Sequence, residues 1–98
     1  MIDEEIKMNI LIDAYGGSRY RRNLAEAVCH FCISQMLPRI RPIDIMLDLA
    51  AADEFEPGIK GYCYAMGSRE FKMDICNNQP EDEFIKSICH EMVHIKQF

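Results

Sequence analysis

The alternation between residues 43 and 49 constrains the fold most, because only one backbone conformation accounts for it. Side chains of a β-strand point alternately to the two faces of a sheet. Apolar residues occupy every second position of this segment, and two of the three positions between them are acidic. Ile43, Ile45, Leu47 and Leu49 alternate with Asp44, Met46 and Asp48. The sequence therefore predicts a strand at 43–49 with one buried face, which other elements must cover.

Three other segments favour extended structure, at 6–13, 59–66 and 69–76. Gly67 and Ser68 separate the last two segments, which predicts a tight turn and a β-hairpin. Gly61 lies inside one of these strands and indicates either a bulge or a close approach of another chain segment.

Two segments show helical spacing, at 19–37 and 80–98. Ser18 precedes the first and is a typical N-cap, while Pro80 and three acidic residues open the second, where a helix dipole favours negative charge. The apolar stripe expected for the first helix consists of Tyr20, Leu24, Ala27, Val28 and Phe31. The order of elements predicts a single α+β domain spanning 1–98, with a small, mostly antiparallel sheet and both helices on one of its faces.

Composition narrows the possible functions. The chain has 98 residues and a net charge of -5, which argues against a nucleic-acid surface. No apolar run reaches the roughly 18–20 residues of a membrane span, and the acidic beginning differs from a signal peptide. The five cysteines have no disulfide framework. We therefore expect a cytoplasmic protein, in the host cytoplasm if the chain is viral, and the sequence leaves its oligomeric state open.

The cysteines of the two predicted helices give weaker indications of function. Cys29 and Cys32 match the spacing of a CxxC motif, but they lie in the middle of a helix, whereas a redox motif belongs at a helix N-terminus. Cys89 immediately precedes a histidine, and its angular position favours the apolar face of the second helix. We expect all three to be packing or surface thiols.

The last helix carries the strongest chemical signal, His90-Glu91-Met92-Val93-His94. Histidines four residues apart lie one helical turn apart, so both imidazoles can reach one zinc ion. Ile85, Ile88, Met92 and Ile95 fall on the other side of the helix, with Phe84 and Val93 at its margins. The pattern predicts zinc ligands at His90 and His94, with Glu91 near enough to take a proton from water.

These five residues resemble the active-site helix of the zincin metallopeptidases, and the order of the preceding elements is similar to the minimal catalytic core of that family. The resemblance implies peptide-bond hydrolysis with one zinc ion held by His90 and His94, and with Glu91 as the general base. It also implies that the strand before this helix, 69–76, forms the edge of the cleft and pairs with a peptide or protein substrate.

The third zinc ligand departs from the family pattern. Metzincins have a glycine three residues after the second histidine and a further histidine beyond it, whereas this chain has Gln97 at the glycine position. Gluzincins take a glutamate from a later helix, and the resemblance to that branch implies a catalytic core shortened before its last ligand. Two alternatives stay open: a catalytically incomplete zincin-like scaffold that acts as a binding module, and a site completed by a second chain.

Overall fold

The computed structural model describes residues 10–39 and 42–97, which form four strands and two helices and confirm the α+β class. Residues 6–9 of the first predicted strand and Phe98 of the last predicted helix lie outside the described residues. Neither described helix is both long and apolar enough to cross a membrane. The elements are β1 (Ile10–Gly16), α1 (Arg19–Met36), β2 (Ile43–Ala50), a short 3-10 turn (Ala52–Glu54), β3 (Gly61–Gly67), β4 (Glu70–Cys76) and α2 (Glu81–Gln97).

The sheet has the strand order β1-β2-β4-β3. β1 pairs with β2 in parallel, β2 pairs with β4 in parallel, and β3 pairs with β4 antiparallel. The prediction of a mostly antiparallel sheet is therefore wrong. Helix α1 carries the chain back along the sheet between β1 and β2, so both strands run in the same direction, as in other helix crossovers.

The hairpin formed by β3 and β4 is confirmed, but its place in the sheet differs from the prediction. β4 has a hydrogen-bonded partner on each side, β2 and β3. The predicted pairing of 69–76 with a substrate would require a free strand edge, which β4 does not have, because its backbone groups are already used within the sheet. Among the described residues β3 pairs with β4 alone, and it is this strand that lies at the edge next to α2.

One face of the sheet is buried beneath both helices, as predicted. α1 packs on β1 and on α2, while α2 packs on β3 and β4. The alternation at 43–49 is observed, with the apolar positions inside and Met46 46% exposed on the other face. The strands contribute Ile12, Ile43, Ile45, Leu47, Leu49, Phe71, Met73 and Ile75 to the core, and the helices contribute Ala25, Cys29, Cys32, Ile33, Phe84, Ile88, Met92 and Ile95.

Helix α1 has the N-cap that the sequence predicts, but the face that it buries differs from the predicted apolar stripe. Ser18 accepts a hydrogen bond from the backbone amide of Arg21 at 3.1 Å, so its role as N-cap is confirmed. Tyr20 and Phe31 from the predicted stripe are 61% and 64% exposed, and the buried positions are Ala25, Cys29, Cys32 and Ile33. Smaller side chains on this face let the helix lie close to its neighbours, whereas two aromatic rings would hold it away.

Candidate metal centre

Helix α2 has the two faces predicted from its spacing. Phe84, Ile88 and Met92 are fully buried against the core, and Ile95 is 3% exposed. His90 and His94 lie on the exposed side of the same helix. The acidic residues of its first turn lie at the positive end of the helix dipole, where they stabilise the helix. The apolar face therefore fixes the helix on the sheet and leaves both imidazoles accessible.

The two imidazole rings of His90 and His94 are brought together by one helical turn. Their Nε2 atoms are 3.2 Å apart, and the rings are nearly perpendicular, with centroids separated by 4.8 Å. Two nitrogen atoms bound to one tetrahedral zinc ion at about 2.0–2.1 Å are separated by about 3.3 Å. The same distance also fits a hydrogen bond in which one neutral ring donates to the other. The two nitrogen atoms are thus already separated by the distance that sharing one ion requires.

Glu91 lies beside the two histidines and is largely buried. Its side chain is 7% exposed, and one carboxylate oxygen and the two ring nitrogens all lie within 4.8 Å of one another. In the part of the chain that the structure describes, this trio is the one group of histidine, cysteine and acidic side chains close enough to hold a metal ion. Burying a carboxylate is unfavourable unless it has a partner, so a cation or a water molecule in the adjoining cavity would stabilise Glu91.

Gly61 of β3 makes room for Glu91. A Cβ atom built at this position would lie 3.1 Å from the carbonyl oxygen of Asp74, 3.2 Å from Cδ1 of Ile75 and 3.4 Å from Cγ of Glu91. The close approach that the sequence indicated at Gly61 is therefore present, and it joins β3 to α2 at the acidic residue of the site. A side chain at this position would crowd Asp74 and Ile75 of β4 first, and its atoms beyond Cβ would compete with Glu91 for space.

We expect Gly61→Val to lower the free energy of unfolding by about 1–3 kcal/mol, because the added atoms overpack the contact between β3 and α2. Urea denaturation followed by circular dichroism measures the change. Gly67→Val is the matched control in the same strand, since a Cβ at Gly67 would meet only the side chain of Glu70. Equal losses in both variants would show that Gly61 is not a close-packing position.

The trio opens into a cavity of about 470 Å³ between the edge of β3 and α2. The volume suits a small part of a peptide, and its walls combine backbone, apolar and polar groups. The lining residues are Ile59, Gly61, Tyr62, Cys63, His90, Glu91, His94 and Gln97. Sequence reasoning placed the two histidines and Glu91 here and missed Ile59, Cys63 and Gln97, for which the sequence carries no signal beyond proximity to the motif.

The two tyrosines of β3 have different surroundings. Tyr62 lines the cavity and stacks on Phe55, with ring centroids 5.7 Å apart. Tyr64 is 42% exposed, and the pKa of its hydroxyl is raised by desolvation, then by the negative charge of Asp74 and by a hydrogen bond to that residue. Of these two tyrosines, Tyr62 is therefore the one that borders the cavity at the metal centre.

The cysteines do not extend the site. Burial, followed by the negative charge of Glu91, raises the pKa of the Cys63 thiol to about 11, so this thiol is neutral at physiological pH. Cys29 and Cys32 are buried in the core, and Sγ of Cys32 lies 3.7 Å from Sγ of Cys89 between the two helices. The CxxC residues therefore pack between elements, as does Cys89, in agreement with the sequence prediction.

Comparisons of this chain with family models, with curated proteins and with solved structures gave no match. The assignment of a function therefore depends on the residues and their geometry.

Proposed function

We propose that this chain is a zinc-dependent peptidase whose metal ligands include His90 and His94 and whose general base is Glu91. One observation carries the proposal: the two Nε2 atoms are 3.2 Å apart beside a buried carboxylate, at the wall of a cavity. Imidazoles at this separation suit zinc, and an adjacent acidic residue is what hydrolysis of a peptide bond requires. The resemblance to the zincin motif agrees with this chemistry.

Each residue has a distinct part in the proposed reaction. His90 and His94 would hold the ion, and a bound zinc ion would supply Lewis acidity that polarises a substrate carbonyl and acidifies water. Glu91 takes a proton from the attacking water at a carboxylate oxygen and later delivers it to the leaving amine. Its burial excludes bulk water from one side, which strengthens its electrostatic interactions with groups in the cavity.

The edge strand β3 is the element on which we place the substrate. Its outer side is unpaired among the described residues, and the cavity adjoins its first half, at Gly61, Tyr62 and Cys63. An extended peptide can add to such an edge through backbone hydrogen bonds. The substrate position proposed here is therefore on β3, in place of 69–76, because β4 is paired on both sides.

The number of protein ligands to the zinc ion distinguishes the proposed peptidase from the alternative, a binding module without catalytic activity. Catalytic zinc sites use three protein ligands, and the trio of described residues offers two imidazoles and the carboxylate assigned here as the base. If Glu91 instead completed the metal site, no base would remain, and the domain would be a metal-binding module. If the chain held no zinc, it would be a metal-free binding module. Zinc content and hydrolysis must therefore be measured on the same preparations.

We expect His94→Ala to reduce zinc content from near one ion per chain to below about 0.1, because a single imidazole does not retain the ion through dialysis. The measurement is elemental analysis of protein dialysed against metal-free buffer after loading with one equivalent of zinc. His30→Ala is the matched control, since His30 is an exposed histidine on α1. Zinc at one per chain in all three proteins would place the ion elsewhere, and zinc in none would favour the binding module.

A further inference from the structure

A second cavity of about 390 Å³ adjoins the metal centre on the side towards the start of α2. It shares Ile59, Gly61, His90 and Glu91 with the first cavity, so the two together form one depression with the candidate metal centre in the middle. The remaining walls of the second cavity are Gly58, Lys60, Lys86 and Ser87. A peptide lying across the metal centre would therefore have different surroundings on its two sides.

The two sides differ in charge. Lys60 comes from the loop before β3, and Lys86 lies one helical turn before His90, so two exposed lysines from different elements line the second cavity. Besides the shared residues, the first cavity is lined by Tyr62, Cys63, His94 and Gln97, and it has no lysine or arginine. Lysines thus line one side of the metal centre and not the other, whereas Glu91 lines both sides.

Neither lysine forms an ion pair within 4.0 Å with another described residue. Among the described residues the ion pair within 4.0 Å joins Lys72 to Asp74, and it involves neither Lys60 nor Lys86. Asp82 and Glu83 lie one turn before Lys86 on α2 without forming such a pair. Two unpaired cations at one cavity are notable in a chain with a net charge of -5, because acidic partners are abundant. Their charges remain available to a bound group.

We infer that the second cavity binds a carboxylate of the substrate, so that the peptidase selects an acidic residue on one side of the cleaved bond and an uncharged residue on the other. This inference rests on the proposed function. Two lysines at one cavity favour an anion and disfavour a cation, so they act on selectivity more than on overall affinity. The same chemistry would accept the free carboxylate at the end of a peptide, and the test separates the two sources.

The experiment uses zinc-loaded protein and quenched fluorogenic peptides that differ at a single position. Glu, Gln or Lys is placed in turn at each of the three positions on either side of the cleaved bond, and every peptide is made with an amidated and with a free C-terminus. We expect kcat/KM at one position to be about tenfold higher for Glu than for Gln and higher still than for Lys. A preference present only in free-acid peptides would assign the cavity to a terminal carboxylate.

The dependence on ionic strength shows whether the preference for Glu over Gln is electrostatic or steric. A preference due to exposed lysines weakens as salt screens their field, so the ratio of kcat/KM for Glu over Gln should fall severalfold between about 0.05 and 0.5 M NaCl. A preference that arises from hydrogen bonding or fit alone would not change in this way. A salt-independent ratio would therefore contradict the assignment to Lys60 and Lys86.

Charge-reversal variants test whether Lys60 and Lys86 cause the preference for Glu. Lys86→Glu, and the double variant with Lys60→Glu, should lose the Glu preference and cleave the Lys peptide about tenfold better than the Glu peptide. Lys96→Glu is the matched control, because Lys96 is an exposed lysine on the same helix that lines neither cavity. An unchanged preference in the double variant would overturn the inference, as would an equal change in the control.

A binding measurement keeps this inference separate from the proposed function. Glu91→Gln protein, with and without zinc, is titrated with the Glu and Gln peptides, and the dissociation constants are measured by fluorescence anisotropy. Tighter binding of the Glu peptide that depends on Lys60 and Lys86 would support the cavity even if no peptide were cleaved, in which case the proposed activity alone would fail. Cleavage or binding without a charge preference would overturn only the inference.

Discussion

Glu91→Gln is expected to retain zinc and to lower kcat/KM for peptide hydrolysis by a factor of about 10² to 10⁴, the usual contribution of a general acid–base residue. The amide has nearly the same size as the carboxylate, so it preserves the contact with Gly61, but it does not accept a proton from water. Hydrolysis of a fluorogenic peptide and zinc content by elemental analysis should be measured on the same samples.

Glu83→Gln is the control for this variant. Glu83 lies in the first turn of α2, is exposed and lines neither cavity at the metal centre, so its substitution makes the same chemical change away from the site. We expect its activity to match that of the unaltered protein. Full activity in Glu91→Gln would remove the base from the proposed mechanism, and loss of zinc in that variant would assign Glu91 to the metal site instead.

Phe84→Ala is expected to lower the free energy of unfolding by about 3–5 kcal/mol, the range for removing a buried aromatic side chain. Phe84 is fully buried at the start of α2, and the guanidinium group of Arg21 lies 4.6 Å from the centre of its ring. The variant therefore loses core contacts and a cation–π interaction between the two helices. A total stability of about 5–15 kcal/mol is typical of such domains, so denaturant titration should show a large shift.

Phe31→Ala provides the comparison for Phe84→Ala and tests the orientation of α1. Phe31 belongs to the stripe that spacing alone assigns to the interior, yet it is 64% exposed. We expect its substitution to change the free energy of unfolding by less than about 1 kcal/mol, as surface substitutions generally do. A loss similar to that of Phe84→Ala would show that α1 packs through the predicted stripe after all.

The two helices show how far periodicity alone can be used. In α2 the apolar residues occupy a single stripe and the histidines face away from it, so the buried face could be assigned from the sequence. In α1 apolar residues surround much of the helix, and several faces were compatible with burial. The face with small residues at Ala25 and Cys29 is buried because it allows the closest packing, which is a property of the neighbouring elements.

In the sheet, too, some features could be predicted from the sequence and others could not. Four strands were predicted from alternation and turn residues, and the part of each within the described residues is observed with small shifts at its ends. The parallel pairing of β1 with β2 had a signal in the strand–helix–strand order, which favours parallel neighbours. The insertion of β4 between β2 and β3 had none, because strand pairing depends on contacts between segments distant in the chain.

For the candidate site, the sequence by itself determined the pair His90 and His94, the adjacent Glu91 and the separation of α2 into two faces. These are local features, because residues one helical turn apart meet whatever the rest of the chain does. Only the tertiary structure decided that Glu91 is buried against Gly61, that β3 rather than β4 borders the cavity, and that Lys60 and Lys86 line the same cavity. Those relations join segments separated along the chain, so they are set by how the sheet and helices pack and not by any local pattern.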